Sequence, residues 1–427
     1  MPIFLFVNTK SGGQRGKRLM QVPQPFQVVV RGGIIADLRI FDMLEGSPGD
    51  KPGFIKLKEA TKLSMVRMIV AGGDGTILWA IEEAERHGID TRNQVLLAVM
   101  PLGTGNDFSR FAGWGGKAPS MSSCTKGRCQ GLRDLVTLWS AAKALQHDIW
   151  KVVMEVDEHR GAILQTGKDG KKEPMERKSI EKLMHSYFSA GNDARAGMGQ
   201  ERSRTSTRWG NMLNYGFQIC LKGMPFREKE YVKDFALSLH NGLDEDAPVI
   251  FHTDEDEDKE PRLVGNPQVL IVLNIPNCYG GFCRFWEGAG SLGVCPVLNS
   301  NLLQKDLDPA DGHLEVLTYG SLLMEPVVSV TTQRLPAHRF NAKRVFSGAP
   351  MFLKFVEDDE DDVEVHVQID GEFFKLVNPT SVGFKFHRKI KVLHGSIPNL
   401  IPEDDEDLSG DDSCTIDSAS CDDEESE

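Results

Sequence analysis

Met68-Ile69-Val70-Ala71-Gly72-Gly73-Asp74-Gly75-Thr76-Ile77-Leu78 is the stretch on which the reading of this chain turns. A short, solid apolar run stops at two glycines. Ile77, Leu78, Ala80, Ile81 and Ala84 then recur at a spacing that suits a helix with one buried stripe. A strand buried on both faces, a glycine turn and a helix explain that pattern. The same unit recurs twice. The apolar run at 3–7 ends at Asn8-Thr9-Lys10-Ser11-Gly12-Gly13, and the run at 95–100 ends at Pro101-Leu102-Gly103-Thr104-Gly105-Asn106-Asp107. Three buried strands with glycine-bearing loops at their carboxyl ends predict a parallel α/β sheet. Ligands of such sheets sit outside those ends.

The loop residues suit a phosphate. Glycines at 72, 73 and 75 permit positive φ and a close backbone approach. The first N–H groups of the following helix aim at an anion, and Thr76 adds a hydroxyl. Asp74 would repel a phosphate unless Mg²⁺ lay between them; the alternative is that it caps the helix. Gly103, Thr104, Asn106 and Asp107 offer a second set of small, hydroxyl, amide and carboxylate groups, or an ordinary turn with Asn106 or Asp107 as a cap. Asn8, Lys10, Ser11, Gly12 and Gly13 offer a third, with Lys10 or Lys17 as counter-charge. No Gly-Lys-Ser/Thr follows the first loop and no G-x-G-x-x-G is present, so neither a Walker loop nor a dinucleotide fingerprint is read here.

The chain has 427 residues, 49 basic and 62 acidic, for a formal net charge of −13. All of that excess lies at 403–427, where thirteen residues are acidic and none is basic. The remainder is formally neutral, which gives no ground for nucleic-acid binding. The tail, 396–427, reads as disordered. No apolar run approaches the roughly 18–20 residues of a membrane helix. Residues 1–7 are too short for a secretory signal. The eight cysteines form no Cys-x-x-Cys pair. Reduced thiols, no zinc and a cytoplasmic setting are expected.

After Asp148 the texture becomes β-rich. Runs at 151–156, 268–273, 314–317 and 351–356 read as strands. Val363, Val365, Val367 and Ile369 alternate with polar residues and predict a half-buried strand. Asp370-Gly371 reads as the tight turn of a hairpin. Two domains are expected, 1–148 and 149–395.

Several segments together resemble the diacylglycerol kinases. They are V-N-T-K-S-G-G (7–13), A-G-G-D-G-T (71–76), P-L-G-T-G-N-D (101–107), D-I-W (148–150), Y-F-S-A-G-N-D-A (187–194), L-N-I-P-N-C-Y-G-G (273–281), D-P-A-D-G-H-L-E-V (308–316) and V-Q-I-D-G-E (367–372). The resemblance spans nearly all of 1–395. It implies an N-terminal ATP-binding domain like that of phosphofructokinase and NAD kinase, a β-sandwich-like second domain, and a site in the cleft between them. It implies ATP and Mg²⁺ as cofactors, with Asp74 supporting Mg-ATP and Glu372 as general base toward the lipid hydroxyl. Asp308, Asp311 and the backbone carbonyl of His313 match a structural Mg²⁺ site of bacterial relatives. The implied reaction converts 1,2-diacyl-sn-glycerol to phosphatidic acid, in lipid second-messenger signalling and with peripheral membrane contact. The alternatives are another lipid acceptor (a sphingoid base, ceramide or monoacylglycerol), NAD as the acceptor, or an inactive lipid-binding scaffold. Oligomeric state is not legible in the sequence.

Overall fold

The structure is a computed structural model that describes residues 1–166, 172–202, 230–254, 260–281, 284–296, 300–320 and 341–395. The expected tail, 396–427, lies outside these residues. The strands Pro2–Val7, Ile34–Asp42, Val66–Gly72 and Val95–Pro101 run parallel. Strand Pro2–Val7 sits between Ile34–Asp42 and Val66–Gly72, and Phe26–Val30 closes the edge antiparallel. Residues 3–7 and 68–71 are buried because helices cover both faces of the sheet. The three glycine loops therefore leave one edge of the sheet side by side. The hairpin at 26–42 was not read from the sequence. Its outer strand alternates buried and exposed residues, a weaker signal than a solid apolar run.

The second half is a sandwich of two sheets. One has nine strands among the described residues, and its strands Tyr187–Gly191, Val269–Leu273, Leu314–Tyr319 and Glu364–Ile369 pair antiparallel with their neighbours. Strand Val269–Leu273 faces two cores. Leu270 and Val272 enter the sandwich interior, while Val269, Ile271 and Leu273 pack with Phe285, Trp286 and Tyr319 on the outer side. Burial on both faces is why this strand is apolar throughout. Strand Glu364–Ile369 departs from the expected half-burial: His366 and Gln368 are buried too, because helix Asn192–Arg202 packs over their face.

Two long strands, Lys143–Val156 and Pro379–His394, pair antiparallel over nearly their whole length and belong to both halves. At one end Val392 pairs with Leu97 of the parallel sheet; at the other, residues 381–384 pair with strand Met351–Phe355. Ile149, Ile390, Val392 and Leu393 lie in the first core; Trp150, Val152, Val382 and Phe384 lie in the second. The junction thus falls inside two hydrogen-bonded strands rather than in a linker, and the chain returns to its first core before residue 395. At roughly 1.5–3 kcal/mol per fully buried large apolar side chain, these residues couple the halves strongly.

The return is locked at Trp114, whose indole Nε1–H donates to Leu393 O at 2.8 Å, and at Gly395, whose N–H donates to Ala112 O at 2.9 Å. Gly113 has φ +77, and a Cβ there would lie 2.0 Å from Gly395 O. Gly113→Ala is expected to cost about 1–3 kcal/mol or more and to lower the thermal unfolding midpoint by a few degrees, measured by circular dichroism. An unchanged midpoint would show that this contact does not hold the returning strand.

Candidate active site

The first loop is tied to the second from within. Asn8 N–H donates to Ala71 O at 3.0 Å, and Asn8 Nδ2 donates to Thr76 Oγ1 at 3.3 Å. Asn8 Oδ1 accepts from Lys10 N–H at 3.1 Å, and Ser11 N–H donates back to Asn8 O at 3.0 Å. Gly13 takes the left-handed conformation, with φ 67, while Lys10 is exposed at the rim.

The glycines of the other two loops serve a different purpose from the one expected. None of Gly72, Gly73, Gly75, Gly103 and Gly105 has positive φ. A Cβ on Gly103 would stand 2.5 Å from Gly73 Cα, and one on Gly72 would overlap Thr76 at 2.6 Å. Bare backbones are needed so that the loops can touch. Leu102 N–H and Gly103 N–H both donate to Gly72 O, at 2.9 and 3.3 Å. Asn106 is the left-handed residue here, φ 56, and its Nδ2 holds the turn by donating to Gly103 O and Gly116 O at 2.7 and 2.9 Å. Thr104 is half-buried in the same loop.

Asp74 opens helix Asp74–Arg86, yet its carboxylate does not cap that helix. It accepts from the N–H groups of Asp107 and Phe108, both at 3.1 Å, and so caps helix Asp107–Phe111 of the next loop. Asp107 in turn accepts from Gly280 N–H at 2.9 Å and Gly281 N–H at 2.6 Å. Tyr279, Gly280 and Gly281 all have positive φ, which points successive N–H groups into one concavity. Loop, loop and second domain are thereby chained through two buried carboxylates. Burial pushes the Asp74 carboxyl up. Burial, reinforced by the charge of Asp74, pushes Asp107 to about 7.

A second link crosses the cleft at His185. The Asp74 carbonyl can only accept, so His185 Nε2 carries the proton and donates to it at 3.1 Å. Asp370 accepts from His185, Ser186 and Tyr187 N–H groups at 2.7, 2.9 and 2.9 Å. Asp370-Gly371 forms the expected turn, with φ 48 and 82. Glu372 follows it, and a Cβ on Gly75 would lie 3.8 Å from Glu372 Oε1. The carboxylate thus stands over the start of helix Asp74–Arg86. Lys182 Nζ donates to Glu372 Oε2 at 2.7 Å. Sequence reasoning missed both His185 and Lys182. His185 lies two residues before the quoted Y-F-S-A-G segment, which was the available signal; Lys182 carried none.

The other quoted motifs build the junction. Asn274 Nδ2 donates to Asp148 O and His185 O at 2.9 and 2.7 Å, and Asn274 Oδ1 accepts from Trp150 Nε1 at 2.8 Å. Asp193, unassigned from sequence, is buried; it accepts from the Ser189 hydroxyl and from Tyr279 Oη at 2.6 Å. It thereby braces the left-handed turn that receives Asp107.

The turn with Asp308, Asp311 and His313 lies apart from the glycine loops, docked on Asp148 through Gly312 N–H at 2.7 Å. In this structure its donors are engaged by the chain itself. Lys305 Nζ sits 3.2 Å from Asp311 Oδ2 and 2.6 Å from His313 Nδ1, so an ammonium already occupies the turn. Asp308 Oδ1 is spent on Ala310 N–H at 3.0 Å. Among the described residues no group of three or more His, Cys, Asp or Glu side chains is arranged to hold a metal ion.

Comparison with known proteins matches this arrangement to two family models. The diacylglycerol kinase catalytic domain matches residues 2–136, and the diacylglycerol kinase accessory domain matches 183–373. Between them they take in well over half of the chain. The chain belongs to the diacylglycerol kinase family. It is 27% identical to "Probable diacylglycerol kinase 3" of Caenorhabditis elegans over 74% of this chain and 36% of that one. To diacylglycerol kinase zeta of Rattus norvegicus it is 24% identical, over 88% of this chain and 34% of that one. It therefore spans about a third of the length of these relatives. A crystal structure from Bacillus anthracis str. Sterne superposes with a TM-score of 0.44 and 15% identity, covering 92% of this chain and 97% of that one. All three glycine loops fall within the catalytic match; His185, Gly280, Gly281 and Glu372 fall within the accessory match.

Two outcomes test this geometry. Burial raises the Asp193 carboxyl to about 6, against the opposing Ser189 and Tyr279 hydroxyls. The folded chain then holds a proton that the unfolded chain releases near pH 4. Stability from this group is full below that value and falls as pH rises toward 6. Asp193→Asn should flatten the fall over pH 4–6 by on the order of 2 kcal/mol, measured by urea unfolding at stepped pH; an identical slope in both chains counts against it. Lys305→Met should lower the unfolding free energy by roughly 1–3 kcal/mol, through the unpaired Asp311 and Glu315 carboxylates, measured by urea unfolding; an unchanged value would show that the ammonium does not hold this turn.

Proposed function

We propose that the chain transfers the γ-phosphoryl group of ATP to the free hydroxyl of a 1,2-diacyl-sn-glycerol, giving ADP and phosphatidic acid. The observation that carries this reading is the Glu372 carboxylate standing over Gly75, at the start of the helix that follows the central glycine loop. An acceptor hydroxyl beside Glu372 is then close to a phosphate resting on that helix start. Mg²⁺ arrives with the nucleotide, as part of the substrate.

Phosphoryl transfer asks for positioning and charge neutralisation more than covalent chemistry. In this reading the N–H groups at the start of helix Asp74–Arg86, the hydroxyls of Thr76 and Thr104, and Lys10 receive the phosphates. Asn8 and Asn106 hold the loops that present them. Asp74 holds the two inner loops in register, and it faces Gly105 together with Asp107, where carboxylate lone pairs beyond those taken by N–H groups can meet a nucleotide-borne cation. Glu372 accepts the hydroxyl proton as the oxygen attacks the γ-phosphorus and the bond to ADP breaks. Lys182 aims that carboxylate. The pair is partly exposed, 34% and 42%, so it is a positioning contact rather than a source of stability. The substrate lies in a bilayer, and no helix among the described residues is long and apolar enough to cross one. Peripheral contact with the membrane surface follows as part of the proposal.

The test is transfer of labelled phosphate from ATP in mixed micelles. The acceptors are diacylglycerol, monoacylglycerol, ceramide and sphingosine, with soluble NAD alongside. Phosphatidic acid should form, and Glu372→Gln should lower kcat by about 10²–10⁴-fold with little change in KM for ATP. Asp74→Ala should abolish transfer. Product from another acceptor alone, or full activity in Glu372→Gln, would sink this reading.

A further inference from the structure

The last strand, Pro379–His394, joins the first sheet in parallel, with Val392 beside Leu97 of strand Val95–Pro101. Its carboxyl end therefore emerges at the sheet edge that carries the three glycine loops. Gly395 is fastened there, its N–H donating to Ala112 O at 2.9 Å. Residues 396–427 leave from this point, and 403–427 hold thirteen carboxylates and no basic side chain. A strand of opposite sense would have released them at the far end of the sheet. The surface beside the exit is cationic, although the chain outside 403–427 is formally neutral. Residues 8–21 carry four basic side chains and no acidic one, and residues 108–128 repeat that balance. These segments, far apart in the chain, meet in the fold, where helix Met121–Thr125 packs on the helical stretch Gly12–Gln21. Lys10, Arg15, Lys17, Lys117, Lys126 and Arg128 are exposed. Arg110, half-buried, runs from this face toward the third glycine loop: a Cβ on Gly116 would overlap its guanidinium at 2.0 Å, and its Nε–H reaches Gly105 O at a long 3.5 Å.

We propose that this basic face is a docking surface for residues 403–427 of the same chain, and that the docked segment competes with anions at the glycine loops. The docking stands on charge and topology; the competing anion, Mg-ATP, is taken from the activity proposed above. Reach permits the contact. In strand order, Pro379–His394 is followed by Val95–Pro101, Val66–Gly72 and Pro2–Val7, so the farthest glycine loop lies three strand spacings away, about 14 Å. The eight residues from Gly395 to Glu403 extend to at most about 29 Å. Single exposed ion pairs hold little, so the contact draws on number and on tethering. The tether keeps the carboxylates at an effective concentration of millimolar order. A contact of this kind is reversible and weakens as salt rises.

Zero-length carbodiimide crosslinking of the full chain, read by peptide mass spectrometry on the monomer fraction, tests the docking. Carboxylates of 403–427 should couple to Lys17, Lys117 and Lys126 in preference to Lys62 and Lys385, which are exposed elsewhere. Raising NaCl to 1 M, which shortens the screening length to about 3 Å, should remove that preference. Coupling spread evenly over exposed lysines, or none, overturns the docking. So does capture by phosphatidylserine vesicles that is lost in Lys117→Glu/Arg128→Glu yet equal with and without the tail charges, which would give the face to a membrane. Equilibrium binding of Mg-ATP, with no acceptor present, tests the competition. A face occupied four-fifths of the time weakens binding about fivefold. Replacing the thirteen carboxylates by amides should therefore tighten Mg-ATP binding by about that factor at low salt, and the two chains should converge at 1 M NaCl. Equal affinity at low salt overturns the competition. Neither measurement involves turnover, so a chain that crosslinks as expected but transfers no phosphate defeats the proposed activity and keeps the docking.

Discussion

A buried carboxylate with no side-chain cation against it is costly unless every lone pair in use meets a donor. Asp74 meets that condition by taking two backbone N–H groups from the neighbouring loop rather than from its own helix. The rest of the site depends on this choice. Asp74 can reach Asp107 N–H and Phe108 N–H only because Gly73 and Gly103 allow the two loops to touch. Asp107, held there, can reach across the cleft to Gly280 and Gly281. The same residue's carbonyl receives His185 from the second domain. Two loops and two domains are thus fixed by one aspartate and the backbone around it.

Rigidity between the halves has a separate origin. A flexible linker would let Glu372 drift from Gly75. Here the halves share strands Lys143–Val156 and Pro379–His394, and Asn274 binds both sides of their crossing. A reaction that depends on placing an acceptor oxygen within ångströms of a phosphorus gains from such a frame. The segments that resemble the family sort into two groups on this view. The glycine loops and Glu372 form the cleft, while D-I-W, Asn274 and Asp193 hold its walls at a fixed separation.

The turn at 308–316 shows how surroundings decide what a spacing holds. Two aspartates and a neighbouring carbonyl have the composition of an oxygen-only cation site. The deciding residue is Lys305, three positions upstream, whose ammonium folds over the turn and pairs with Asp311. Whether a lysine side chain turns inward or into solvent depends on what surrounds it. Here Glu315, buried and raised to about 7 chiefly by that burial, lies 3.6 Å from the same ammonium.

By itself the sequence determined the parallel sheet, the β-rich second half, the glycine loops at one sheet edge and the Asp370-Gly371 turn before Glu372. Solid apolar runs, glycine punctuation and alternation are local signals, so they survive in one dimension. Tertiary structure alone decided that the glycines of the two inner loops serve loop contact rather than positive φ, that Asp74 caps a neighbour's helix, and that the last strand returns to the first core. It also decided that His185 and Lys182 belong to the site. Each of these is a meeting of residues far apart in the chain. Which donor a buried carboxylate finds, and which backbone must be bare to let it, is fixed only when the sheets and helices have packed.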